Sequence, residues 1–133
     1  MSDDRRSLGA EGETQAARYL MGKRYRIAAR NVRAGGVEID LVAQKAGTLV
    51  FVEVKTRRST AFGVPQSAVD AAKRARLVRG AAAWLRENRF RPRQIRFDVV
   101  TCRPPAHWQE ADAPKGIGAW QIEHIEGAFD AGD

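Results

Sequence analysis

The chain has 133 residues and a single cysteine, Cys102; that length suits one domain, and one cysteine excludes an internal disulfide. No apolar run approaches the length of a membrane span, and the charged N-terminus, Met1-Ser-Asp-Asp-Arg-Arg-Ser, lacks an apolar signal core; a soluble protein of a reducing compartment, the cytoplasm, is expected. Net charge is +7 but uneven: residues 1–103 hold 22 Lys/Arg against 10 Asp/Glu, and residues 104–133 hold 1 against 6, so the basic body has the footprint of a polyanion binder.

Residues 8–22 read as a helix with Gly22 near its end. On it Glu13 shares a stripe with Ala16, Ala17 and Leu20 at i+3, i+4 and i+7. A carboxylate there is costly unless paired or metal-bound. The plainer alternative puts Glu13 at the rim of the stripe, in a first turn that favours acids. A strand is expected over 25–32.

A charged hairpin follows over 36–57. In its first strand Val37, Ile39, Leu41 and Ala43 face one way, and Glu38 and Asp40 the other. In its second, Val50, Val52 and Val54 oppose Glu53 and Lys55. Gly47 suits a two-residue loop at Ala46-Gly47. That register sets Asp40 opposite Glu53 and Glu38 opposite Lys55. Two carboxylates across a ladder repel, and a hard divalent cation would resolve the conflict. An exposed strand face is the ordinary alternative for Asp40 and Glu53. Val42, Leu49 and Phe51 share that face, so it should be partly covered. A Glu38–Lys55 ion pair would leave Lys55 structural.

Residues 58–65 form a loop punctuated by Gly63 and Pro65. A long helix is expected over 66–88, with Arg76, Arg79 and Arg86 on one face and Leu77, Val78, Ala81, Trp84 and Leu85 on the other. Those arginines can meet phosphates or form a solvated face. Lys73 falls at the edge of the apolar arc, placed to contact substrate. Arg57 and Arg58, just past Lys55, are stronger phosphate-contact candidates. A strand over 93–102 alternates Ile95, Phe97 and Val99 with Arg96 and Asp98. Residues 104–118, with three prolines and two glycines, read as a mobile loop, and 120–125 as a last strand. Trp84 and Trp120 read as core; Trp108 lies in the loop. His107 and His124 lack Cys partners at zinc spacing. The order α-β-β-β-α-β-β fits one α/β domain over 1–133, a central mixed sheet flanked by helices.

Glu13, Asp40 and Glu53-Val54-Lys55 resemble the active-site pattern of the PD-(D/E)xK superfamily, the restriction-endonuclease-like fold. More narrowly, the chain resembles the YraN family of predicted endonucleases, akin to Holliday-junction resolvases. The similar stretches are Gly9-Ala-Glu-Gly12-Glu13, Gly36-Val-Glu38-Ile-Asp40-Leu-Val-Ala, Val50-Phe-Val-Glu53-Val-Lys55-Thr-Arg57, Phe62-Gly63-Val-Pro65 with Lys73 following, Arg96-Phe-Asp98, and Ile122-Glu-His124-Ile-Glu-Gly-Ala-Phe129. The departure is Ile39, which stands where the superfamily name has proline. The resemblance implies Mg²⁺ or Mn²⁺ held by Asp40, Glu53 and the Val54 carbonyl, with Glu13 completing the site and Lys55 orienting a water. It also implies DNA, branched DNA included, as substrate. A two-fold dimer would suit a junction-cutting enzyme.

Overall fold

The computed structural model describes residues 4–58, 70–109 and 120–129. They form α1 (Asp4–Gly22), β1 (Arg26–Ala34), β2 (Val37–Lys45), β3 (Thr48–Thr56), α2 (Ala71–Asn88), β4 (Gln94–Arg103) and β5 (Gln121–Phe129). The strands build one sheet in the order β1-β2-β3-β4-β5. Only β3 and β4 run parallel, because α2 lies between them in the chain and a parallel pair needs a crossover. This mixed sheet with a helix on each face is consistent with a restriction-endonuclease-like fold.

The β2–β3 turn has the expected geometry. Ala46 and Gly47 both take positive φ, 51° and 85°, as a two-residue hairpin turn of the favoured twist requires. Lys45 faces Thr48, and the same register runs back to Leu41–Val52. There the described pairing stops, short of the expected Asp40–Glu53 and Glu38–Lys55 pairs. Asp40 instead uses its side chain: Val54 N–H donates to Oδ2 at 2.8 Å. Glu38 faces Arg33 of β1.

Two apolar layers hold the sheet. On one face Leu8, Ala16, Ala17 and Leu20 of α1 pack with Leu41, Ala43, Val50, Val52, Val100 and Cys102. On the other, Leu77, Ala81, Ala83 and Trp84 of α2 pack with Ile39, Val42, Leu49, Phe51, Phe97 and Val99. With helices on both sides, β3 is buried on both faces from Leu49 to Glu53, not half-buried as its alternation suggests. The expected common face of Ile39 with Leu41 and Ala43 also fails. Ile39 packs toward α2, whereas the other two pack toward α1.

Asp70 is extended and accepts a hydrogen bond from the Lys73 N–H, so it caps α2. The helix therefore begins at Ala71, later than the expected 66. The loop expected over 58–65 lies outside the described residues beyond Arg58. So does the expected mobile loop from 110 to 118. Its first part is anchored: Trp108 is buried and meets Trp120 edge-on, centroids 5.9 Å apart. An indole that size gains more from joining the α1-side core than from solvent.

Candidate active site

The end of β3 carries the acidic residues. Glu53 is the last residue of its buried stretch, 6% exposed, and Asp40 is half-buried on neighbouring β2. Both line two open pockets. One, of about 360 Å³, is completed by Glu38, Lys73 and Arg76 among others. The second, of about 340 Å³, is completed by Glu13, Val54, Lys55 and Arg57 among others. The two carboxylates thus form a wall between two basic-rimmed hollows.

Electrostatics set this wall apart from an exposed strand face. Burial pushes the Asp40 carboxyl up to about 7, reinforced by the charge of Glu53 and opposed by the Val54 N–H. Glu13 is raised as well, by burial first, while hydrogen bonding from Asn31 and the charge of Arg30 pull it back. The Lys55 ammonium lies 3.2 Å from Glu53 Oε2, and the Lys73 ammonium 2.6 Å from the same oxygen. Burial and then Lys73 lower the Lys55 pKa. Burial also opposes the Lys73 charge, but its bonds to Glu53 and Lys55 outweigh that and leave it raised. Lys55 therefore pairs along its own strand with Glu53, not across to Glu38.

Glu13, Asp40, Glu53, Val54 and Lys55 surround one pocket, so the fold brings the sequence-expected set together. α1 reaches it by a close approach. A side chain at Gly12 would run into the Thr56 hydroxyl, so the bare backbone lets Glu13 lie beside the end of β3. Arg57 lines the same pocket, and its N–H continues the β3–β4 pairing by donating to the Cys102 carbonyl at 3.0 Å. Arg58 reaches elsewhere: it donates to the Trp108 carbonyl at 3.1 Å and lies over that indole. Arg76 lines the first pocket with Lys73. Arg79 and Arg86 are exposed on α2 and line neither pocket.

Among the described residues, no three His, Cys, Asp or Glu side chains group tightly enough to hold a metal unaided. The donors that do meet are hard oxygens, the Asp40 and Glu53 carboxylates flanking Val54, whose carbonyl can add a third ligand. That donor chemistry fits Mg²⁺ or Mn²⁺. Burial first, and the Glu53 charge second, disfavour the ionised form of Asp40, and a bound cation would oppose both.

The sequence pattern places Arg96 and Asp98 on the polar side of a strand, and the family resemblance includes them and His124 without giving them a role. They form a buried network. Asp98, fully buried, accepts from Arg96 Nε at 2.9 Å and from the Gly127 N–H at 2.9 Å, and contacts His124 Nε2 at 2.7 Å. Arg96 also donates to the Tyr25 hydroxyl at 2.6 Å. The network ties β4 to β5 and to Tyr25, just before β1. An aspartate amid an apolar run was the available signal.

Comparison with known proteins identifies the family. The uncharacterised protein family UPF0102 matches residues 12–102. A UPF0102 protein of Geotalea daltonii is 41% identical over 96% of this chain and 93% of its own. One from Geobacter sulfurreducens is 46% identical over 92% and 88%, and one from Symbiobacterium thermophilum 52% over 74% and 84%. The chain belongs to family UPF0102, the YraN family.

Proposed function

We propose that this member of UPF0102 is a metal-dependent endonuclease that hydrolyses phosphodiester bonds in DNA, branched DNA included. The observation that carries the reading is the Asp40–Glu53 wall. It joins two carboxylates and two lysines at the seam of two open pockets whose rims carry Arg57 and Arg76. Asp40, Glu53, the Val54 carbonyl and Glu13 would hold Mg²⁺ or Mn²⁺, which when bound supplies Lewis acidity to the phosphodiester. Lys55 orients the attacking water. Its lowered pKa makes it a better proton partner near neutral pH than an ordinary lysine. Arg57 and Arg76 grip phosphates on either side of the scissile bond, and this positioning is the protein's share of the catalysis.

One observation favours a second reading, a non-catalytic nucleic-acid-binding protein that keeps the fold. Lys73 and Lys55 already neutralise Glu53, so the site is electrostatically tolerable without a metal. The two readings part in one experiment. Duplex, single-stranded, flap and four-way DNA are incubated with Mg²⁺ or Mn²⁺, beside Asp40→Ala and Glu53→Ala. The nuclease reading expects cleavage of at least one substrate by the parent, reduced to background in both variants, with DNA binding largely kept. Binding without cleavage by the parent would leave the second reading standing.

A further inference from the structure

One oxygen of the candidate site is claimed twice. Glu53 Oε2 meets the Lys73 ammonium at 2.6 Å and the Lys55 ammonium at 3.2 Å. The two lysines come from different elements and line different pockets. Lys55 follows Glu53 on β3 and opens onto the pocket that holds Glu13. Lys73 comes from the first turn of α2 and opens onto the other, beside Arg76.

The Glu53 side chain is buried, so its charge needs a neighbour when no cation is bound. The ammoniums supply it. A divalent ion held by Asp40 and Glu53 would add two positive charges beside both of them, and like charges repel. One ammonium has to give way, and burial decides which. The Lys55 side chain is 14% exposed and that of Lys73 is 31% exposed. Lys73 therefore has the open path, into a pocket of about 360 Å³. Its backbone stays in place, because its N–H donates to the Asp70 cap at 2.9 Å. Its flexible stem lets the ammonium turn about that fixed base.

We infer that Lys73 is a resident counter-ion of this site: its ammonium occupies Glu53 in the metal-free protein, yields that place to a divalent ion, and turns into the first pocket to meet a phosphate beside Arg76. The inference rests on the metal-dependent reading and deepens it. An ammonium spent on Glu53 is not available to a phosphate, and a released one is. Metal loading and phosphate capture are then linked, each favouring the other.

Lys73→Gln removes the charge and keeps a long polar side chain, whereas Lys73→Arg keeps the charge. Mn²⁺ is titrated calorimetrically into the full chain without DNA. Lys73→Gln is expected to bind Mn²⁺ about tenfold tighter than the parent, the effect of removing one unit charge close to a divalent ion. Lys73→Arg is expected to stay close to the parent. Equal or weaker binding by Lys73→Gln, with a parent that binds, overturns the competition and leaves the metal site standing. Equal tightening in both variants assigns the effect to packing and overturns it too. If neither the parent nor Lys73→Gln binds Mn²⁺, the metal reading falls and this inference with it. The phosphate half is read from duplex DNA binding across a salt series without metal. Lys73→Gln alone should leave the slope of log affinity against log salt as in the parent. With Glu53→Gln already in place, adding Lys73→Gln should flatten the slope by about one, the share of one phosphate contact. The same change on both backgrounds, or none on either, would mean that Glu53 does not govern Lys73, and overturns the exchange.

Discussion

At Asp40, burial and the neighbouring Glu53 charge work against ionisation, and the carboxyl titrates at about 7. Unfolded, it would titrate near 3.9. The folded form therefore holds a proton that the unfolded chain has already lost. This contribution to stability is present below about pH 4 and disappears as pH rises through 7. Asp40→Asn keeps an acceptor for the Val54 N–H and removes the charge. It should stabilise the metal-free protein at pH 8 by roughly 1–3 kcal/mol, a gain that fades as pH falls toward 4. Urea denaturation at the two pH values measures it, and an equal gain at both would mean that charge is not the cause. Asp98 works the opposite way. Burial alone would raise its pKa, but His124, Arg96 and the Gly127 N–H lower it. Its stabilisation is present above the unfolded pKa and is lost as acid protonates it. Buried Asp98 thus supports the fold at neutral pH, while half-buried Asp40 is held there at a cost in stability.

Among the elements, α1 decides whether Glu13 reaches the site, and Gly12 decides how close α1 comes. A Cβ at Gly12 would collide with Thr56 at the end of β3, whereas at Gly9, one turn earlier, it would meet nothing within 4 Å. Gly12→Val should cost roughly 1–3 kcal/mol through overpacking and push Glu13 away from the wall. Gly9→Ala should be neutral or stabilise the helix by up to about 1 kcal/mol. Chemical denaturation of the pair checks this, and equal effects would mean that the α1–β3 approach is not tight. The start of α2 works by capping. Asp70 accepts the Lys73 N–H, which fixes the first turn at the place from which the Lys73 ammonium reaches Glu53.

For the molecule as a whole, charge should govern how it meets a polyanion. Lys73 and Arg76 open onto the first pocket, and Arg79 and Arg86 continue the exposed face of α2 away from it. A backbone approaching the Asp40–Glu53 wall along α2 would pass this row. Replacing Arg76 and Arg79 together by alanine should lower the slope of log affinity against log salt by about 2, roughly one for each lost phosphate contact. Fluorescence titrations of DNA binding across a salt series give the slope directly. An unchanged slope would move the binding face elsewhere on the basic body. None of the described helices is long and apolar enough to cross a membrane.

The order of elements, the Ala46-Gly47 turn and the hairpin register down to Leu41–Val52 were all legible in the residues, because strand alternation and helical spacing follow from local backbone geometry. That Asp40 and Glu53 would lie near one another was legible too, although the ladder pairing that suggested it stops at Leu41–Val52 and the two line shared pockets instead. Other features lay beyond that reach. The Lys73–Glu53 contact joins residues 20 apart in sequence, and Trp108 enters the core from a segment that reads as loop. Each depends on how the helices press on the sheet from both sides, and periodicity along one segment carries no record of what packs against it.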